Sequence, residues 1–375
     1  MDIILEKESL CFLQLFPEMT TPKLKALYRH FGSYHSAVRG KSTDYKGIFS
    51  DDELYRYLQY RETRDIKYAI KSLSSEGIGY YTLDDPEYPT LLKQISSPPL
   101  SLFVKGRLPD NKLPSVAIIG ARNCSGYGRQ MAREYGRELA ANGIQVISGL
   151  ARGIDGMSQQ AALSVSGESF AVLGCGVDIC YPKENWELYE NLCVRGGVIS
   201  EYRPGTQPIA QFFPARNRII SGICSAVIVI EARERSGTLI TVNMALDQGK
   251  DIYALPGRTT DSLSYGCNML IRDGATPLLR PHEFIDEFYA RLGINRQINK
   301  APDNYMQSSE FLTADERDVM EVLDYHSKSI NEIYYELSDK KDVNLAVLMG
   351  LLTDMTLKKK IRCIDGSNYY LDNKK

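Results

Sequence analysis

Six short apolar segments alternate with amphipathic segments between residues 85 and 290, and this alternation limits the possible folds more than any other feature of the chain. The apolar segments are 116–119, 144–148, 169–173, 198–200, 226–230 and 251–254. The amphipathic segments, which we predict to be helices, include 127–141, 156–163, 186–193 and 238–248. Apolar strands separated by helices are typical of a mostly parallel sheet with both faces covered, so we predict an α/β fold.

The chain on the amino-terminal side of the sheet predicts a smaller domain. Residues 1–80 carry leucines at roughly helical spacing, interrupted by prolines and glycines, which indicates several short helices. No residue pattern there points to chemistry, so we predict a small helical domain of the helix-hairpin-helix kind that serves packing or interaction. The sheet domain then covers residues 81–294.

The carboxyl-terminal part predicts a third domain behind a linker. Residues 295–309 are polar and predict the linker, and residues 310–375 predict the domain. Thr313 and Glu316 form a capping box that opens the first of three helices, and a hairpin ends the chain. Three helices and a hairpin predict a winged helix, a fold that often binds duplex DNA through its third helix. That helix, 343–357, contains no arginine, so DNA reading and protein binding both stay open.

The charge balance excludes a protein that is basic over its whole surface. Lys and Arg number 45 against 47 Asp and Glu, so any nucleic-acid site must consist of a few placed cations.

The amino terminus is acidic and no apolar run approaches ~20 residues, so the sequence predicts neither a signal peptide nor a membrane span. Eight scattered cysteines favour reduced thiols in the cytoplasm, and four histidines at no ligand spacing predict no metal site.

Small and polar residues follow the predicted strands, where open parallel sheets bind their ligands. Helix starts in these loops offer free amides to an anion, and the nearby arginines and lysine add positive charge. The predicted phosphate-binding residues are Arg122, Asn123, Ser125, Gly126, Arg152, Lys183, Phe213, Arg216, Asn217, Arg218, Ser236, Gly237 and Thr238. We expect one arginine of the 216/218 pair to be held by an internal carboxylate, with Asp155, Glu201 and Glu231 as possible partners. Asp155 also fits a helix N-cap.

These loops fit catalysis poorly, and we predict no catalytic residue and no cofactor. No histidine lies in them, and Cys124 has no evident base beside it. Asp155 and Glu231 have the chemistry of general acids and bases, but nearby arginines favour ion pairing over proton transfer.

Read in order, the loops resemble the DprA/Smf family of DNA-processing proteins. The resemblance covers about 190 residues in the order and spacing of that family. It rests on Tyr88-Pro89, Pro98-Pro99-Leu100, Gly120-Ala-Arg122, Tyr127-Gly128, Ser148 to Asp155, Tyr181-Pro182, Ser200-Glu201, Phe213 to Ile220, Glu231 to Thr241, Pro256-Gly257 and Gly266 to Ala275. It implies an extended Rossmann-like, doubly wound sheet domain between a small helical domain and a winged-helix tail.

The resemblance also implies a function. It suggests a cytoplasmic homodimer that binds single-stranded DNA and loads the RecA recombinase onto it in natural transformation and recombination, with no membrane partner. By motif position, Arg122, Lys183 and the 216–218 segment line the DNA pocket. The family usually has a histidine where this chain has Gln159. A hydrogen-bonding role survives that change and a catalytic role does not, which favours binding.

A mechanism and two alternatives follow from these residues. Strand phosphates would lie against Arg122, Lys183 and the 216–218 arginines while Phe212 or Phe213 stacks a base, and about three phosphates predict a salt slope near −2. The enzyme alternative is a nucleotide-hydrolysing protein of the related Rossmann-like group, in which Glu231 would be essential for turnover. The third possibility is a transcription regulator that acts through the tail.

Overall fold

The computed structural model describes residues 3–294, 313–323, 328–338, 343–358, 360–364 and 367–371. Contacts between residues divide the chain into two compact units, Met1–Leu292 and Gly293–Lys375. Among the described residues, no helix combines the length and the apolar character that crossing a membrane requires.

Helices occupy the amino-terminal segment, as its leucine spacing predicts. They are α1 (Ile3–Leu15), α2 (Thr21–Phe31), α3 (Tyr34–Arg39), α4 (Asp51–Thr63) and α5 (Ala69–Ser75). Thr20 and Ser50 cap α2 and α4, each accepting a hydrogen bond from a backbone amide of the first turn. Buried residues of these helices form one core with residues of the sheet such as Phe103 and Val198, so the helices pack directly on the sheet.

A nine-stranded sheet is the centre of the first unit. Its strands are β1 (Ile78–Thr82), β2 (Ser101–Gly106), β3 (Ser115–Ile119), β4 (Gln145–Ser148), β5 (Ser169–Val172), β6 (Gly197–Ser200), β7 (Ala226–Val229), β8 (Asp251–Ala254) and β9 (Thr276–Pro277). They lie in the order β1-β2-β6-β5-β4-β3-β7-β8-β9. All pairs from β6 to β9 are parallel, whereas β1 and β2 add an antiparallel edge. The six predicted strands are confirmed, and the pattern missed β1, β2 and β9, which lie outside the regular alternation.

Helices cover both faces of this sheet. They are α6 (Thr90–Lys93), α7 (Gly126–Ala141), α8 (Ile154–Ser164), α9 (Trp186–Arg195), α10 (Phe212–Ile223), α11 (Gly237–Asp247), α12 (Tyr265–Arg272) and α13 (Pro281–Arg291). Side chains alternate along β3, so Ala117 and Ile119 belong to one core and Val116 and Ile118 to the other. This confirms a mostly parallel sheet with two covered faces.

The chain reverses its direction of travel across the sheet between β3 and β7. From β3 it moves through β4 and β5 to β6, and from β7 it moves the opposite way through β8 to β9. Neighbouring strands whose connections diverge leave a crevice at their carboxyl ends, which is where such sheets bind ligands. The topology therefore directs attention to the loops after β3 and β7 and to their neighbours.

The second unit contains α14 (Ala314–Val322), α15 (Ile330–Ser338) and α16 (Leu345–Leu357) with three short strands. The strands are β10 (Lys328–Ser329), β11 (Ile361–Ile364) and β12 (Asn368–Leu371), and they form an antiparallel sheet in the order β10-β12-β11. The capping box of Thr313 and Glu316 is confirmed at the start of α14. The predicted linker, 295–309, lies outside the described residues.

Candidate functional site

The residues predicted to bind phosphate lie where the parallel strands end. We call this region the strand-end edge, and it consists of the loops 120–125, 149–153, 173–185, 201–211 and 230–236 together with the first turns of the helices that follow them. Since each loop leaves a parallel strand at its carboxyl end, residues far apart in sequence meet here.

Arg122 and Phe213 form the centre of the strand-end edge. The exposed guanidinium of Arg122 lies 5.8 Å from the centre of the half-buried Phe213 ring. Arg216 lies 5.9 Å from the same ring, and the Tyr181 ring is 5.5 Å away. Within the described ranges, Arg122 makes no ion pair, so its charge remains available to a ligand. The other candidate ring, Phe212, is stacked on Tyr202 at 4.2 Å.

Lys183 is a second exposed cation, and the structure shows it without an ion pair to any described residue. It begins a short 3-10 turn, Lys183–Asn185, directly after the cis Tyr181–Pro182 bond. The Asn185 side chain donates to the carbonyls of Leu150 at 2.8 Å and Ala151 at 3.2 Å. These bonds fix the Lys183 loop to the loop after β4.

Arg152 lies on that same loop after β4, but it is ion-paired. Its guanidinium donates to Glu184 at 2.5 Å, and both side chains are about 60% exposed. An ion pair in such exposure contributes ~0–1 kcal/mol, so a phosphate can compete for this arginine at little cost.

Arg216 is buried beneath Phe213 rather than lining a groove. Only 5% of its surface is exposed, and its guanidinium donates to the carbonyls of Gly149 and Val172. Burial lowers the pKa of Arg216 to about 10, although the nearby Asp155 carboxylate acts in the opposite direction. A Cβ at Gly149 would lie 2.6 Å from the guanidinium, so the close approach requires glycine.

The remaining members of the 216–218 segment also have internal partners. Arg218 donates to Glu201 at 2.6 Å, and both side chains are largely buried. Asn217 accepts a hydrogen bond from Arg216 at 3.2 Å. We expected one arginine of this pair to be held internally, and the structure holds both. Asp155 is not an N-cap, because Gly153 takes that position and the Asp155 carboxylate accepts from the Gly149 amide at 3.1 Å.

The amino-terminal end of α7, which follows β3, is occupied by a carboxylate of the protein itself. Ser125 caps α7, as predicted, and its amide and hydroxyl both donate to the Glu231 carboxylate, at 3.0 and 2.5 Å. A Cβ at Gly128 would lie 2.3 Å from that carboxylate. The anion attracted by this glycine-rich turn is therefore the protein's own Glu231, while the neighbouring Asn123 and Gly126 stay exposed.

The helix start after β7 is open by comparison. Ser236 occupies the N-cap position of α11 but makes no capping bond, and its buried Oγ has no hydrogen-bond partner among the described residues. Gly237 is exposed and Thr238 is half-buried, and the first turn carries no acidic residue.

Arg233 and Arg235 are exposed just before α11, and they form no ion pair with any described residue. They line a cavity of about 430 Å³. Sequence reasoning overlooked both arginines, although their position after a strand would have indicated them.

Gln159 is a buried hydrogen-bonding residue. Its side-chain oxygen accepts from the Leu150 amide at 3.0 Å, and its nitrogen donates to the Phe170 carbonyl at 3.0 Å. Leu150 has a positive φ of 55°, an unfavourable conformation for leucine, so these bonds help to hold a strained turn. Gln159 thus acts as a structural hydrogen-bonding residue that joins the Leu150 amide to the Phe170 carbonyl.

Groups with acid–base chemistry at the strand-end edge are buried or hydrogen-bonded within the protein. Burial raises the pKa of the Cys124 thiol, which opposes the thiolate that a nucleophile needs. Burial also raises the pKa of Asp155, although Arg216 beside it acts in the opposite direction. Glu231 is bound to Ser125. This arrangement favours binding over proton transfer.

Comparison with known proteins identifies the family. Residues 79–289, more than half of the chain, match the family model of DNA recombination-mediator protein A. The chain belongs to this family. Among curated members of the DNA recombination-mediator protein A family, the DNA processing protein DprA of Streptococcus pneumoniae is 43% identical over 56% of this chain and 73% of its own length. DprA of Bacillus subtilis is 37% identical over 60% of this chain and 75% of its own length. The resemblance to the DprA/Smf family is thus confirmed.

Solved structures of the family share the fold. The X-ray structure of DprA from Streptococcus pneumoniae superposes with a TM-score of 0.63 at 33% identity, over 75% of this chain and 97% of that one. DNA processing protein A from Helicobacter pylori, whose structure is described for its single-stranded DNA binding mode, gives a TM-score of 0.51 at 29% identity. That match covers 56% of this chain and 96% of the other.

Proposed function

We propose that this protein binds single-stranded DNA without sequence preference at the strand-end edge. The observation that carries the proposal is that Arg122, exposed and without an ion pair to any described residue, lies 5.8 Å from the Phe213 ring. The exposed Lys183 follows two residues after Tyr181, whose ring is 5.5 Å from that of Phe213. Cations that track a backbone and a ring that stacks a base are the usual elements of single-strand binding. Family membership and the DNA-binding relative from Helicobacter pylori support it.

The geometry assigns different tasks to the candidate residues. Arg122 and Lys183 bind phosphates directly, and Arg152 joins them by exchanging Glu184 for a phosphate. Phe213 stacks a base, with Arg216 adding positive charge from beneath the ring. Arg218 and Asn217 support this arrangement from inside the fold. For two to three phosphates, log affinity falls with log salt at a slope of about −1.5 to −2.

The open start of α11 provides a further anion site on the same edge. Ser236, Gly237 and Thr238 offer backbone amides, and the half-buried Thr238 adds a hydroxyl, whereas the Ser236 hydroxyl is buried. Arg233 and Arg235 add charge. By contrast, Ser125 and Gly126 act by positioning the loop that carries Arg122 and Asn123, because Glu231 holds the helix start.

The wider role that we propose follows the family resemblance. The protein acts in the cytoplasm as a homodimer that loads RecA onto single-stranded DNA during natural transformation and recombination. The second unit is a winged helix, a proposal supported by its order of three helices and three short strands. Nucleotide hydrolysis is less well supported, because the carboxylate that it would require, Glu231, is bound to Ser125.

The decisive experiment measures single-strand affinity by fluorescence anisotropy with a labelled oligothymidylate. Arg122→Ala and Lys183→Glu are each expected to weaken binding about tenfold or more, a loss of ~1.4 kcal/mol. Lys112→Glu is the matched control, because it makes the same charge change at an exposed lysine before β3, at the opposite end of the strand. Unchanged affinity in both site variants would exclude the strand-end edge as the DNA site.

A further inference from the structure

Trp186, the only tryptophan of the chain, lies exposed at the strand-end edge. It begins α9, and 56% of its surface is accessible to solvent. One face of the indole stacks on Tyr189, with ring centres 5.5 Å apart and planes 25° from parallel. Tyr189 is itself buried, and its hydroxyl donates to the Val177 carbonyl at 2.6 Å. The indole is therefore backed by a fixed ring.

Lys183 and Trp186 project from the same side of their turn. The 3-10 turn Lys183–Asn185 ends at Trp186, whose amide bonds to the Lys183 carbonyl. In 3-10 geometry, side chains three residues apart point in the same direction, which directs Lys183 and Trp186 to one side of the turn. Asn185 anchors the turn to the loop after β4, which keeps both side chains at this edge.

The surrounding charges restrict what can reach the indole. Glu187 and Glu190 are exposed on α9 and disfavour a phosphate there, whereas Lys183 attracts one immediately before it. A strand whose phosphate binds Lys183 can direct its base, which carries no charge, to the open face of Trp186. Stacking of this kind tolerates every base because each has a π face.

We propose that Trp186 is a second base-stacking position, which binds the nucleobase next to the phosphate held by Lys183. The proposal rests on the proposed function and adds a site to it. Phe213 and Trp186 then hold two bases of one strand, while Arg122 and Lys183 bind its backbone.

Intrinsic fluorescence tests the proposal, because the full-length protein has a single indole. The native protein is titrated with an oligothymidylate and with an abasic strand of the same length. We expect quenching of Trp186 emission by the oligothymidylate and little quenching by the abasic strand. Trp186→Ala should weaken binding of the oligothymidylate about tenfold by anisotropy, and Trp186→Phe should retain most of the affinity. The abasic strand should bind Trp186→Ala and native protein equally.

Tyr55→Ala is the matched control, since Tyr55 is an exposed aromatic residue on α4, 64% accessible and outside the strand-end edge. Its affinity should equal that of the native protein. If Trp186→Ala binds as tightly as native protein while Arg122→Ala binds weakly, the stacking position is wrong and the proposed function stands. If native protein binds no single strand, both are wrong. Loss of affinity for oligothymidylate and the abasic strand alike would assign Trp186 a structural role and overturn the stacking proposal.

Discussion

Arg122 and Lys183 differ from Arg216 and Arg218 in what binds their charged groups, although all four lie in basic segments that follow strands in the sequence. The first two are exposed and, within the described residues, have no ion pair. Arg216 is bound to two backbone carbonyls and Arg218 to Glu201. The first pair is available to a ligand, whereas the second pair is bound within the fold. A basic motif therefore indicates where charge collects, and only the contacts show how much of it a ligand can use.

The helix starts of α7 and α11 show the same difference for anions. At α7, Glu231 satisfies the amide and hydroxyl of Ser125. At α11, Ser236 makes no capping bond and no acidic residue lies in the first turn. The two helices follow β3 and β7, which are neighbours in the sheet. The free helix start is the one that retains the electrostatic attraction for a phosphate.

The largest expected effect tests the role of Arg216. Arg216→Met leaves Asp155 buried without its cation and two carbonyls without their donor, so we expect the free energy of unfolding to fall by about 3–5 kcal/mol. Arg122→Met, the matched change at an exposed site, should alter it by less than about 0.5 kcal/mol. Urea unfolding followed by circular dichroism measures both. Equal stabilities of the two variants would contradict the division between charges for the fold and charges for the ligand.

A smaller effect is expected for Arg218 and Glu201. A double-mutant cycle with Arg218→Met and Glu201→Gln should give a coupling free energy of about 1.5 kcal/mol, because both side chains are largely buried. The same cycle with Arg152→Met and Glu184→Gln serves as the control and should give less than ~1 kcal/mol, since that pair is exposed. A larger coupling in the exposed pair would place Arg152 among the structural arginines.

The smallest effect concerns pH and extends the comparison to the second unit. The hydrogen bond from Lys360, together with that from the Thr313 amide, lowers the pKa of Glu316 below its ordinary 4.5. A lowered carboxyl pKa stabilises the fold above the unfolded value, and this contribution disappears as pH falls through the folded value. Glu316→Gln should therefore cost about 1 kcal/mol at neutral pH and progressively less in acid.

Amide hydrogen exchange in α14 measures this effect, when the exchange rates at each pH are divided by the intrinsic rates at that pH. Glu336→Gln is the control, because the Glu336 carboxylate that pairs with Lys328 in the same unit is itself exposed, so its replacement should have little effect at either pH. A pH-independent loss in Glu316→Gln would show that its capping geometry, and not its charge, stabilises the helix.

Much of the fold was predictable because its signals are local. The six parallel strands and the limits of α7 follow from runs of apolar residues and from the Ser125 cap, all within a few neighbouring positions. The edge strands β1 and β2 escaped prediction since they pair antiparallel outside the alternating pattern. The carboxyl-terminal helices were predictable for the same local reason, beginning with the Thr313 capping box.

The sequence predicts which residues assemble at the candidate site, but it predicts only partly what each of them does there. Its residues follow strands, so their assembly at one edge follows from the parallel topology. The sequence predicts Trp186 only as the start of a helix, because its exposure depends on what packs around it.

The order of residues along the chain is enough to predict the α/β architecture, the family and the edge of the sheet where cations and small residues gather. Which of those groups remain free depends on the folded structure. The physical reason is that each decisive partner comes from a distant segment: Glu231 reaches Ser125 across 106 positions, and Gly149 receives Arg216 across 67. A charge is neutralised by whatever lies next to it in space, and that neighbour is set only when the chain has folded.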